Sequence, residues 1–395
     1  MAASLFLWPE AFLAGRGMPM TSGSQASAPR PDEEPDRFAH AFGASPPLSL
    51  GVEEELLLVD ERLELAPVSE LVLDSVPAVV AERVSSEIFA DQIELKTDVC
   101  LGVGEVLNDL RATRRAIRDA GFGLLGAGLH PTDDFDEARL VSKPRYEIVR
   151  KDLGGLLRTP PCGLHVHVGM PDPDTAVRLA NAFRLYLPVL QALSANSPFW
   201  AGVDSGHASA RTSVVRSYPR FQLPRQFRDY EDFCRVADQL IAAAGVDDYT
   251  YIWWDVRPHP RLGTVELRAF DVQADIATSS AIAALIQAIA ARELYRPSRP
   301  GLYREALEES YFQAASHGLE ARILLDEEAP APAPEVARRV LDATRPYARE
   351  LGSEGALEEI ERILREGNGA DEQRRVHRAR GMSGLLEHLA ERTRA

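Results

Sequence analysis

The chain is predicted to be an α+β protein in which strands carry the polar residues of interest and a helical tail flanks them. Three observations predict it. Acidic, imidazole and guanidinium groups alternate with apolar residues in segments far apart in the chain. Residues 102–120 show helical spacing, and from about residue 277 nearly every segment reads as helix.

Taken in order, residues 1–47 read as a disordered leader. Residues 16–48 are rich in Gly, Ser, Ala and Pro, carry a charged PDEEPDR stretch and lack a sustained period. The folded unit is expected to begin near Leu48 and to run to residue 395 as one domain. VEEELLLV (52–59) reads as a strand, as does part of SSEIFADQIELKTD (85–98). Val103, Leu107, Leu110 and Ile117 fall on one helical face, and Gly121 stops that helix. GFGLLGAG (121–128) reads as a tight helix-to-strand connection. HVHVGM is a short strand, and Asp174 is placed to cap a long helix running to about Ala195 and bent at Pro188. YTYIWWDVRP (249–258) and GTVELRAFDV (263–272) read as two strands joined by a turn at HPRL. Helices are expected at 277–295, 302–316, 334–350, 354–366 and 371–393, interrupted by the proline-rich loop 327–335.

The composition narrows the function classes. The formal charge is −16, from 60 acidic against 44 basic residues, which argues against nucleic acid as a partner. The three cysteines are far apart and lack a C-x-x-C spacing, so a disulfide framework or cysteine zinc site is not expected. No apolar run reaches the ~20 residues that span a bilayer. The opening SLFLWPEAFLAG is broken by Pro9 and Glu10 and has no basic segment before it. The expected location is the cytoplasm.

Side chains i and i+2 of a strand share a face. Glu53 and Glu55 therefore project together, with Val52, Leu56 and Leu58 opposite. Glu54 falls on the apolar side and is expected near the strand end, within reach of water. His165 and His167 share a face, as do Glu266 and Arg268, and Gln92, Glu94 and Lys96. An ordinary solvent-facing sheet alternates in the same way. Such a face favours Thr, Lys, Ser and Gln, however, rather than glutamates, imidazoles and arginine gathered from several strands. If these strands are neighbours, the crowded carboxylates repel one another unless cations neutralise them. An oxygen-dominated set suits Mg²⁺, with Mn²⁺ favoured slightly by an imidazole. HxH plus one carboxylate suits Zn²⁺, but leaves the other glutamates unexplained. Mg²⁺ usually completes its octahedron with phosphate oxygens, which points to a nucleotide, and Arg268 and Arg257 are natural clamps on a phosphoryl group. No P-loop motif is present.

GVEEELLLVD, SSEIFADQIELKTDVC, GLHVHVGM, LSANSPFWAGVDSGHASAR and YIWWDVRPHPRLGTVELRAFD together resemble the carboxylate–amine ligases, and more closely the type 2 glutamate–cysteine ligase family. The resemblance runs from about residue 48 to 380. It implies a glutamine synthetase-like fold, whose curved, mainly antiparallel sheet floors the active site. It also implies ATP-dependent amide formation through an acyl phosphate, with Mg²⁺, glutamate as carboxylate and cysteine or another amine as acceptor. On that resemblance Glu53, Glu55, Glu94, Glu266, His165 and, less directly aligned, Glu87 are metal ligands. His167 lies nearer the ATP phosphates, Arg268 stabilises the transferred phosphoryl group and Arg257 contacts phosphate. Arg211, in GHASAR, takes the substrate carboxylate. Trp254 and Tyr251 are open between pocket wall and core, and the family suggests a homodimer. Three other readings stay open: a guanidino kinase-like phosphotransferase, a zinc hydrolase using HxH, and a non-catalytic nucleotide- or metal-binding protein.

Overall fold

A computed structural model describes residues 37–133, 139–298, 301–326 and 329–394. Its centre is a seven-stranded antiparallel sheet of β1 (Leu50–Val59), β2 (Val84–Ser86), β3 (Gln92–Lys96), β4 (Gly123–Leu125), β5 (Gly163–Gly169), β6 (Val256–His259) and β7 (Thr264–Asp271). The strand order is β2-β3-β1-β5-β7-β6, with β4 pairing the far end of β1. The helices are α1 (Ser69–Ser75), α2 (Ala78–Ala81), α3 (Val103–Asp119), α4 (Pro144–Leu153), α5 (Pro173–Ser194), α6 (Ala210–Arg216), α7 (Tyr230–Ala244), α8 (Ile276–Tyr295), α9 (Arg304–His317), α10 (Ala333–Glu350), α11 (Leu357–Glu366) and α12 (Gly369–Arg394).

The alternation in the strands decides the layering. Leu50 and Val52 of β1, Leu164, Val166 and Val168 of β5, and Val265 and Leu267 of β7 point to one side and are buried against α5 and α8. Each such side chain contributes roughly 1.5–3 kcal/mol by leaving water. Helix α8 is rich in alanine and buried along nearly its whole length, because α3, α10 and α11 pack on it from the other side. The opposite face of the sheet carries the polar pairs.

Several expectations need correction. The long helix α5 is capped by Asp172, whose carboxylate accepts from the Thr175 amide at 2.7 Å, and Asp174 lies inside the first turn. The predicted strand 249–258 is a strand only from Val256. Asp248 accepts from the Thr250 amide and turns Tyr249–Tyr251 into a 3-10 helix, so capping chemistry outweighs the strand propensity of Tyr, Ile and Trp. Glu54 does not reach water. It is fully buried and paired through both oxygens, at 2.9 Å each, to Arg114 of α3. The boundary of the leader also moves. Residues 1–36 lie outside the described residues, but Phe38 stacks on Tyr249 at 6.1 Å and the Ala41 amide donates to the Pro260 carbonyl. Gly263, at φ 66°, lets this segment approach: a Cβ there would lie 2.3 Å from the Ala41 oxygen.

Candidate active site

Cross-strand register converts the separate pairs into one constellation. Glu53 of β1 lies opposite His165 of β5, and Glu55 lies opposite Glu94 of β3. His167 lies opposite Glu266 of β7, which in turn faces Arg257 of β6. A bulge between Leu164 and Val166 shifts the β5–β7 register beside His165, next to Arg268. These side chains floor a cleft of about 340 Å³. Its far wall is built by Arg145, Tyr146 and Val149 of α4 together with Tyr218, Phe221 and Trp253.

Two triads of possible ligands share Glu53. Glu53, Glu94 and His165 offer one donor atom each within 4.8 Å of one another, and so do Glu53, His167 and Glu266. His165 Nδ1 lies 3.2 Å from Glu53, and His167 Nδ1 is held by Thr264 at 2.9 Å. That bond leaves His167 Nε2 facing Glu53 and Glu266 at 3.8 and 3.9 Å, buried and with no hydrogen-bond partner among the described residues. An orphaned imidazole nitrogen between two carboxylates is what a cation ligand looks like before the cation binds. Geometry thus gives His167 the same access to a cation as His165, whereas the sequence reading placed it with the phosphates. Glu55 belongs to neither triad; its Oε2 accepts from the Gly163 amide at 2.5 Å.

The electrostatics separate the acids. Burial pushes Glu53 up, but the pull of His165 and His167 outweighs it and holds the carboxyl well below the usual range. Glu266 is likewise held low against burial by Arg257 and Arg268. Glu94 is pushed up by burial and by Glu53, with Lys96 and Ser85 offsetting part of this. Glu87 is pushed well up by burial and by its neighbours Glu94 and Glu55. Carboxylates outnumber the cations on this side of the cleft, where Lys96 pairs with Glu94, and a hard divalent cation fits its oxygen-rich donor set.

The arginines divide by task. Arg257 donates to Glu266 at 2.6 Å and to the carbonyls of Tyr249 and Ile252, so it fixes Glu266 in place. Arg268 also bonds Glu266, but its Nε is buried without a partner among the described residues. Arg211 reaches the cleft from α6, and Gly163 makes room for it. A Cβ at 163 would lie 2.3 Å from Arg211 Nη2 and 3.1 Å from His165 Nε2. Trp254 and Tyr251 are core: Trp254 packs on Phe227 and Phe233, and the neighbouring Trp253 lines the cleft instead. Thr264 and His259 went unnoticed in the sequence, although each sits two positions from a chosen residue and the same alternation would have found them. Tyr218 and Tyr146 lie off the sheet and had no such signal.

The sheet and its charged floor are those of a carboxylate–amine ligase. A family model described as "Glutamate-cysteine ligase family 2 (GCS2)" matches residues 49–391, and the chain belongs to that family. A Rubrobacter xylanophilus protein provisionally named glutamate–cysteine ligase 2-3 is 41% identical over 362 residues, covering 89% of this chain and 99% of its own. A glutamate–cysteine ligase of Haloquadratum walsbyi is 35% identical over 357 residues, covering 86% and 95%. Among solved structures, the fold resembles the glutamate–cysteine ligase of Francisella tularensis in complex with AMP. The TM-score is 0.66 at 13% identity, over 88% of this chain and 89% of that one. Among the described residues, no helix is long and apolar enough to cross a membrane.

Proposed function

We propose that this ligase joins glutamate to an amine, cysteine being the acceptor the family name suggests, with conversion of ATP to ADP and phosphate. A carboxylate and an ammonium in neutral water form a salt, because the carboxylate carbon is a poor electrophile. Transfer of the γ-phosphoryl group to the carboxylate oxygen gives an acyl phosphate and releases ADP. The deprotonated amine then attacks the acyl carbon, the C–O bond to phosphate breaks and inorganic phosphate leaves.

One observation carries this reading: acids and imidazoles from β1, β3, β5 and β7 converge beside Arg268 in a single cleft. Glu53, Glu94 and His165, and Glu53, His167 and Glu266, are the groups that would hold Mg²⁺ or Mn²⁺. Such a cation supplies neutralisation of the phosphate oxygens when bound. Arg268 stabilises charge on the transferring group, Arg257 positions Glu266, and Arg211 takes a substrate carboxylate. The walls around Tyr146 and Trp253 limit access of water to the intermediate. The AMP complex of the Francisella enzyme supports a nucleotide substrate, and a cytoplasmic location agrees with the requirement for ATP.

The test is phosphate release by the full chain with ATP, Mg²⁺ and glutamate across a panel of amines that includes cysteine. Release that needs both glutamate and an amine supports the ligase. Phosphorylation of a guanidino acceptor without amide formation would instead identify a phosphotransferase, and hydrolysis without ATP a zinc enzyme.

A further inference from the structure

Two polar groups in the cleft wall have no role in the scheme above beyond the general one given to Arg211, and each keeps a buried donor without a partner among the described residues. Tyr218 follows α6 directly, is only 9% exposed, and its hydroxyl is buried with no hydrogen-bond partner among the described residues. Arg211 is 1% exposed. Its Nη1 makes one long contact, 3.4 Å to the Ala269 carbonyl, and its Nε is buried with no partner among the described residues. Both residues line the cleft, and the guanidinium lies beside His165 at the sheet floor.

A buried donor without an acceptor costs roughly 1–3 kcal/mol. Two of them lining the same cleft point to a ligand that supplies the acceptor. The acceptor is anionic, because Arg211 makes no ion pair among the described residues: buried Asp271 and Asp255 feel its charge, but Asp271 is already bonded by Asn196, Ser197 and Ser209. The hydroxyl remains a donor throughout the working range: burial pushes Tyr218 up to about 12 even though Arg211 beside it pulls the other way.

We infer that Tyr218 and Arg211 together form the seat of the non-reacting carboxylate of the acyl-donor substrate. This rests on the ligase reading. The donor, rather than the amine, is the occupant because Arg211 reaches the floor next to His165, where the group to be phosphorylated must also lie. A substrate held at that seat and reacting over Arg268 and Glu266 carries two carboxylates, as the glutamate of the proposed function does. Gly163 is part of the seat, since any side chain there would occupy the space of the Arg211 guanidinium.

The experiment compares the native chain with Tyr218→Phe in steady-state ADP formation and in calorimetric binding of glutamate. The variant is expected to raise KM for glutamate at least ~10-fold, with KM for ATP and for the amine within about twofold. Thermal stability should be unchanged or slightly raised, because an orphaned hydroxyl has been removed. A merely structural tyrosine would give the reverse, with lower stability and unaltered KM. An unchanged KM for glutamate, or a shift confined to the amine, overturns the inference and leaves the ligase reading standing. If the native chain shows no turnover yet binds glutamate at least ~10-fold more tightly than Tyr218→Phe, the ligase reading fails and the carboxylate seat stands. Absence of glutamate binding by the native chain overturns the seat.

Discussion

Strand β1 carries buried acid on both faces, and the two faces are treated in opposite ways. On the core side, Glu54 is saturated: Arg114 grips both oxygens, and the Ser279 hydroxyl donates to one of them. Arg114 spends its remaining donors on the carbonyls of Gln273, Ala274 and Thr393. On the cleft side, Glu53, Glu55, Glu87 and Glu94 crowd together, with Lys96 paired to Glu94 and the imidazoles of His165 and His167 beside Glu53. Along β1 the fold supplies the full counter-charge of the core-side acid and leaves the cleft-side acids in excess of theirs.

The largest way to break this contrast is on the core side. Arg114→Met leaves Glu54 buried and unpaired and orphans three carbonyls, and is expected to cost ~3–5 kcal/mol in urea unfolding. On the cleft side, Glu53→Gln and Glu266→Gln should each lower turnover at least ~100-fold, about 2.7 kcal/mol of barrier; the urea midpoint should move far less in Glu53→Gln than in Arg114→Met, whereas Glu266→Gln also breaks the buried pair with Arg257. Near-normal turnover in both would remove the basis of the mechanism. The smallest effect sharpens the comparison outside the cleft. Asp91 is buried, and burial together with Asp133 raises its carboxyl from 3.8 to about 6. The folded state therefore favours the protonated acid, and the stability this gives is full below pH 3.8 and lost as pH rises through about 6. Asp91→Asn should gain ~1–2 kcal/mol over the native chain at pH 8 and nothing at pH 3.5, measured by unfolding at both pH values.

The cleft floor was legible in the sequence because a strand has a period of two. Glu53, Glu94, His165 and Glu266 are each recognisable from their own few neighbours, and the register then brings them together. Glu54 obeyed the same rule and was misjudged, because the pattern shows which face a residue takes but not that Arg114, 60 positions away, waits on that face. The walls were not legible. Tyr218, Trp253 and Tyr146 reach the cleft from helix ends and a 3-10 turn, where position depends on caps such as Asp248 and on packing against Phe38 and Tyr249. Helix α7 was also missed, although Asp229 caps it and Gly245 ends it in the left-handed region.

Because the two triads have Glu53 in common, the floor has one shared node and two private pairs. A lineage that loses Glu94 keeps the Glu53–His167–Glu266 set whole, and one that loses Glu266 keeps the other, so either half can drift while its neighbour is preserved. A change at position 53 strikes both halves in a single generation. Decay of such a site therefore has a gradual route and an abrupt one, and which route a descendant took can be read from five letters of its sequence.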